Sequence, residues 1–276
     1  MTRHIAWGGS MAFRALLVLV TFCALMYGCD VANKQKVGEM QSESKSVSLE
    51  SFRGPETGVT FAHVQLKMDA GELNVTDGAD GLMEADFSYN VPAWKPKVSY
   101  RPWGEVGPLL VKQGNAESAR LSGDARNVWD IRLNDEVPTH LEVEMGAGES
   151  YLDLDSLNLG GHPAARTDLT VGMGAGETTV DLTGDYRSSL DAIIQRGNGE
   201  ATVLLPSEKG VRVTPQGGLG GNVGEINLAK INAKGLQRVS DASLDDSYVN
   251  DAYGESRETL RVVVQGGVGE INLEVV

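Results

Sequence analysis

The chain has 276 residues and a formal net charge of −14, with 38 acidic against 24 basic side chains. That length suits one large all-β domain or two small ones, and the charge excludes nucleic acid and anionic lipid as natural partners because both would be repelled. The only cysteines, Cys23 and Cys29, both sit near the N-terminus and offer no disulfide framework for the rest of the chain.

Residues 15–28 form an apolar run preceded by Arg3 and Arg14. The run is shorter than the ~20 residues of a membrane span and has the form of a secretory signal, with Met1 or Met11 as the start. Its end, Leu25-Met26-Tyr27-Gly28-Cys29, resembles the lipobox of bacterial lipoproteins. That resemblance implies lipidation of Cys29 as the new N-terminus; an uncleaved anchor or an ordinary signal peptide with an incidental cysteine are the alternatives, and each exports the chain. Loss of Arg3 and Arg14 takes the net charge from −14 to −16. Residues 30–55 are rich in Ser, Lys, Glu, Gln and Gly, which predicts a solvated tether reaching roughly 28 Å. The expected organisation is therefore a signal over 1–28, a lipidated linker over 29–55 and one domain over 56–276.

Aromatic residues gather early in that domain: Phe87, Tyr89, Trp94, Tyr100, Trp103 and Trp129. Phe87, Tyr89 and Val91 alternate as a strand does, while Pro92, Pro96, Pro102 and Pro108 interrupt the stretch after them. The favoured reading is a cap on the open end of a repeat array, with an exposed aromatic surface for glycan or protein as the alternative.

A repeated Gly-x-Gly-Glu signature dominates the remainder. Its copies end in Gly71-Glu72, Gly148-Glu149, Gly176-Glu177, Gly199-Glu200, Gly224-Glu225 and Gly269-Glu270, the glutamates lying 77, 28, 23, 25 and 45 residues apart. Repeats of this period indicate units that bury their apolar faces only against neighbours. After each glutamate the apolar residues fall on odd offsets, as in Val180 and Leu182 after Glu177; before it they fall on even offsets, as in Leu169, Val171 and Met173. In a straight strand these two sets would face opposite sides. The Gly-x-Gly must therefore bend the chain so that both sets face one core, with the glutamates outside. The fold expected is an all-β, stacked β-solenoid with an aromatic-rich N-terminal cap.

Stacked glutamates repel, so the ladder of Glu72, Glu149, Glu177, Glu200, Glu225 and Glu270 needs an offset. Divalent cations are one candidate; carboxylates held by the amides of their own glycine arcs are the other, and the favoured one. Late in the chain, Lys230–Glu258 interrupts the repeats. Repeat insertions map to loops, which makes Tyr248, Asn250 and Tyr253 the candidate partner surface, with packing across the last coil as the alternative.

The motifs Trp129-Asp130-Ile131-Arg132-Leu133-Asn134, Val137-Pro138, Leu141-Glu142-Val143-Glu144-Met145-Gly146-Ala147-Gly148-Glu149, Gly174-Ala175-Gly176-Glu177, Val211-Arg212-Val213, Gly217-Gly218-Leu219-Gly220 and Tyr248-Val249-Asn250-Asp251-Ala252-Tyr253-Gly254-Glu255-Ser256 occur in order. They resemble the toast-rack domain of bacterial cell-envelope proteins from about residue 60 onward. That family is similar to LiaF-like cell-wall-active antibiotic response proteins and to β-solenoid proteins called putative adhesins. The resemblance implies a stacked-sheet fold, an envelope location and no catalytic residues to carry over. No cofactor or metal is expected: His63, His140 and His162 are widely separated in sequence, without the spacing of a zinc site. The functional expectation is a lipid-anchored, non-catalytic binding or scaffold module. It would meet the membrane only through its anchor and take an envelope protein or a glycan as partner. A regulator of envelope-stress signalling and an exopolymer-binding adhesin are the alternatives.

Overall fold

The structure, a computed structural model, describes residues 37–53, 58–114, 124–160, 167–184, 186, 188–217, 231–241 and 244–276. The expected signal, Cys29, His162, Gly224 and Glu225 lie outside the described residues. Four long strands, β2 (Phe61–Thr76), β7 (Thr139–Asp153), β8 (Leu169–Asp181) and β9 (Leu190–Leu205), form successive rungs. They pair parallel and in register, Glu72 beside Glu149, Glu149 beside Glu177, and Glu177 beside Glu200. The next rung is split at Gly267 into β14 (Thr259–Gly266) and β15 (Val268–Val275), which lie parallel on the two halves of β9. Outside it, β10 (Gly210–Gly217) pairs with β14, and β11 (Ile231–Lys234) with β15.

Each rung reverses its burial parity at the glycines. In β2 the buried side chains beside Phe61 at its start are Ala62, Val64, Leu66 and Met68 before the bend, and Leu73 and Val75 after it. The same holds for Val171 and Met173 against Val180. Both wings of the bent sheet thus turn their apolar sides into one core cluster, in which full burial of each Leu or Val contributes about 1.5–3 kcal/mol.

The bend is built from two columns of glycine. Gly71, Gly148, Gly176, Gly199 and Gly269 have φ between 120° and 150°, a region nearly closed to residues with a Cβ. A Cβ on Gly148, Gly176, Gly199 or Gly269 would also fall within 2 Å of the carbonyl oxygen of the glycine on the rung beneath. Two residues earlier, a Cβ on Gly146, Gly174, Gly197 or Gly267 would meet a neighbouring carbonyl at 2.1–2.3 Å. Both the conformation and the rung-to-rung approach therefore require glycine.

The N-terminal end is closed by shorter strands. β5 (Val106–Lys112) lies parallel on the leading half of β2, with β4 (Lys97–Tyr100) antiparallel to it. β6 (Asn127–Leu133) lies on the trailing half, followed by β3 (Met83–Tyr89) and β1 (Gln41–Val47), both antiparallel. The aromatic cluster is a cap for the most part: Phe87, Tyr89, Trp94 and Trp129 are buried, and Phe87 meets Trp129 edge-on at 5.4 Å, while Trp103 is exposed. Polar side chains finish the first arc. Gln113 Oε1 accepts the Asp69 and Ala70 amides at 2.9 and 3.2 Å, and Asn127 Nδ2 donates to the Ala70 carbonyl at 2.8 Å. They supply the bonds that a further rung would have made.

The tether expected to run to residue 55 is corrected here: among the described residues regular structure begins at Gln41. β1 is an edge strand whose side chains are mostly exposed, held by its register against β3 and by Ser44 donating to Asp86 at 2.5 Å. The short helix α1 (Leu49–Arg53) buries Phe52 against Gly107. Because backbone pairing rather than apolar periodicity holds β1, its polar composition reads as solvated chain.

Candidate functional site

The outer surface of the rungs carries the repeated polar positions. Glu72, Glu149, Glu177, Glu200 and Glu270 form an unbroken, exposed row, one per rung. The backbone nests expected for them are not what the structure builds. Their observed polar partners are side chains: Asn272 Nδ2 donates to Glu200 at 2.6 Å, and Arg126 approaches Glu72 at 3.9 Å. Exposure to water offsets the repulsion instead.

A groove of about 540 Å³ runs across the bend over five successive rungs. Lys67, Glu144, Gln195 and Gln265 contribute the polar lining, and Met145 and Met173 the apolar floor. The glycines create it by removing side chains just where the sheet turns. Along its far end an amide row forms, Gln195 Nε2 donating to Gln265 at 3.0 Å and Gln265 Nε2 to Gln216 at 3.4 Å. Arg196 occupies the register position of Met173 and is 8% exposed, with Nη1 donating to the Gly199 carbonyl at 3.2 Å. Burial lowers its pKa.

The candidate partner surface near the C-terminus is mostly interior. β12 (Gln237–Asp241) and β13 (Leu244–Val249) form a hairpin closing on β10. Tyr248 is buried in the core cluster. Asn250 is 5% exposed and locks the loop: its Oδ1 accepts the Val211 amide at 2.9 Å, and its Nδ2 donates to the Pro206 and Lys209 carbonyls at 3.1 and 2.7 Å. Only Tyr253 is exposed. Packing across the last coil, rather than a partner surface, accounts for Tyr248 and Asn250.

The parallel register makes a cluster that the sequence reading missed. His63 of β2 lies beside His140 of β7, and Gln65 beside Glu142. The imidazole rings meet edge-on at 4.8 Å. Glu142 Oε1 lies 3.2 Å from His63 Nε2 and 3.1 Å from His140 Nε2, while Oε2 accepts Gln65 Nε2 at 2.6 Å. Burial alone would raise the Glu142 pKa, but the bonds from Gln65 and His140 and the nearby His63 outweigh it and leave the pKa below the ordinary carboxylate value. A signal was available: His63 and His140 each stand nine residues before a ladder glutamate, Glu72 and Glu149.

The chain belongs to the toast-rack family. The model of the N-terminal domain of toast_rack, DUF2154, matches residues 36–204, more than half of the chain. The crystal structure of a putative cell adhesion protein from Clostridium sporogenes is similar in sequence and fold. It has 29% identity and a TM-score of 0.71, covering 86% of this chain and all of that one. A putative adhesin from Bacteroides fragilis aligns over 85% of this chain and 97% of its own, at 9% identity and a TM-score of 0.25, too loose a superposition to argue from. No match is found among curated proteins. Among the described residues no helix is long and apolar enough to cross a membrane.

Proposed function

We propose that this protein is a non-catalytic binding module of the bacterial cell envelope that holds an extended polymer, a glycan strand foremost, across its rungs. The observation that carries the reading is the groove at the bend. It passes from β2 to β14 at the ~4.8 Å strand spacing, from Lys67 and Glu144 at one end to Gln195 and Gln265 at the other, and polar side chains set out in register along an open groove suit a ligand that is itself extended. Family membership and the likeness to a putative cell adhesion protein from Clostridium sporogenes support a binding role over catalysis. Amide rows such as Gln195–Gln265–Gln216 offer both donors and acceptors to hydroxyl groups.

The test is retention of the purified chain on immobilised envelope glycans, compared with Gln195→Ala/Gln265→Ala. Retention of the wild type that the double variant weakens supports the reading. Retention unchanged by the variant, or none on any glycan, rejects the groove as the site. Attachment through Cys29 is part of the same proposal, resting on the Gly28-Cys29 end of the apolar run. Fatty-acid labelling that is lost in Cys29→Ser is the expected result, and an unlabelled wild type would refute the anchor.

A further inference from the structure

We propose that His63, His140 and Glu142 form a binding site for one divalent transition-metal ion, zinc foremost, that staples the first rung to the second. The three side chains come together because β2 and β7 lie parallel in register, although 77 residues separate the two histidines. One potential ligand atom from each of the three residues falls in a single group within 4.8 Å. A tetrahedral zinc ion with nitrogen and oxygen ligands at about 2.0–2.2 Å sets its ligands roughly 3.3 Å apart. The carboxylate oxygen Oε1 stands 3.2 and 3.1 Å from the two Nε2 atoms, which is the separation along two edges of such a tetrahedron.

The surrounding bonds prepare the ligands for this role. His140 Nδ1 lies 2.7 Å from the Thr167 carbonyl, which can only accept, so Nδ1 carries the proton. In neutral imidazole that leaves Nε2 as a lone pair aimed at Glu142. A carbonyl partner on the far nitrogen is the arrangement that orients metal-binding histidines. Gln65 plays the equivalent part for Glu142, holding Oε2 and leaving Oε1 turned toward the two rings. A lone pair facing a carboxylate at 3.1 Å is repulsive unless a proton or a cation lies between them. The side chains of His63 and Glu142 are 31% and 28% exposed and that of His140 is 11% exposed, so an ion can enter from solvent. Three protein ligands leave a fourth position for water or for a donor group of a partner. Two imidazoles and one carboxylate suit zinc and its neighbours better than calcium, which takes six to eight oxygens.

The experiment is titration of the purified, chelator-treated full chain with zinc by calorimetry and with cobalt(II) by visible absorption. One equivalent should bind, and cobalt should give the intense band of four-coordinate geometry. His63→Ala and Glu142→Gln should each weaken binding by more than the roughly 10–100-fold that loss of a supporting hydrogen bond costs. Both residues are partly exposed, so these variants keep the test valid even where His140→Ala fails to fold. Glu177→Gln, on the ladder, should bind as the wild type does. Absence of saturable zinc binding by the wild type would overturn the proposal, and would mean that a protonated histidine accounts for the short contacts. Binding that survives both His63→Ala and Glu142→Gln would overturn it equally.

Discussion

The two ends of the stack follow different rules. From β2 to β9 the rungs lie in chain order, each on the one before it. Beyond β9 the order breaks: the rung that covers it is the last in the chain, Thr259–Val275, with Leu260 beside Leu190 at a separation of 70 residues. The strand that comes after β9 in sequence, β10, is displaced one place outward. Repeat spacing does not identify the neighbour of Glu200, which is Glu270, 70 residues further on. What seats a rung on β9 is the glycine pair Gly267 and Gly269, whose missing side chains let it approach the carbonyls of Gly197 and Gly199. The glycine columns make close stacking possible, and the strand register shows which rungs stack.

The largest effect should come from breaking the column itself. Gly176→Ala places a methyl group against the Gly148 carbonyl at φ 120°, so loss of more than about 4 kcal/mol or failure to fold is expected in denaturant titration. Gly254→Ala, in the C-terminal loop at φ 91° with open space around it, should lose only the ~1–2 kcal/mol of backbone strain. Comparable losses in the two variants would show that conformation alone, and not the approach of rungs, requires glycine.

Next in size is the choice of face. Val180 is fully buried and Thr179 half-buried on the outer side. Val180→Asp should cost several kcal/mol, as burial of an unpaired carboxylate does, while Thr179→Asp should stay near the ~0.5 kcal/mol of a surface change. Equal midpoints would contradict the reversal of parity at the bend. Since Val262 in the C-terminal rung is equally buried, Val262→Asp tests whether that rung belongs to the same core: a small cost there would mean that the C-terminal rung opens independently.

Parity is legible in the sequence because it rests on periodic apolar residues, and the bend comes with it: Met173 and Val180 cannot share a straight face. The end caps are not legible in full. Gln113 and Asn127 are single polar residues whose partners, the arc amides and carbonyl of residues 69–70, are identified only once β5 and β6 are placed. Asn250 stands out in the sequence but in the wrong role, because a polar residue in an insertion reads as exposed until its three backbone partners are known. The histidine pair stays hidden for a different reason. Metal-site spacing is a rule about neighbours along the chain, whereas a parallel stack brings together residues that share an offset from the repeat. His63 and His140 share that offset, and it would have served as the search rule.

The two polar caps give a smaller, paired test. Asn250→Ala at the C-terminal end leaves buried backbone groups without partners and should lose about 1–3 kcal/mol, whereas Gln113→Ala at the N-terminal end frees two partly buried amides and should lose about 1 kcal/mol. Their hydrogen-exchange patterns should differ. Loss of Asn250 should expose the amides of β10 and β13 and spare β7 and β8, because the Asn250 loop bonds to Val211. Loss of Gln113 should act at the arc of β2. Uniform loss of protection across all rungs in both variants would mean that the ends do not open separately.

The smallest effects belong to the glutamate row, and there too the N-terminal end differs from the middle. Glu177 has a glutamate on each side, Glu149 and Glu200. Glu72 has only Glu149 as a glutamate neighbour and Arg126 at 3.9 Å. At ~4.8 Å in water each like-charged pair repels by about 0.9 kcal/mol before screening, and physiological salt, with a Debye length near 8 Å, removes part of that. Glu177→Gln should therefore be neutral or slightly stabilising, by no more than about 0.5 kcal/mol, with the gain largest at low salt. Glu72→Gln should gain less, because it also gives up the attraction of Arg126. Thermal melts of both variants at low and high salt, each with calcium and with chelator, separate this account from a cation ladder. Calcium should shift neither the wild type nor the variants. A large calcium-dependent rise in the wild-type melting temperature that Glu177→Gln abolishes would instead make the row a calcium site, since a ligand at 100 times its dissociation constant stabilises by about 2.7 kcal/mol.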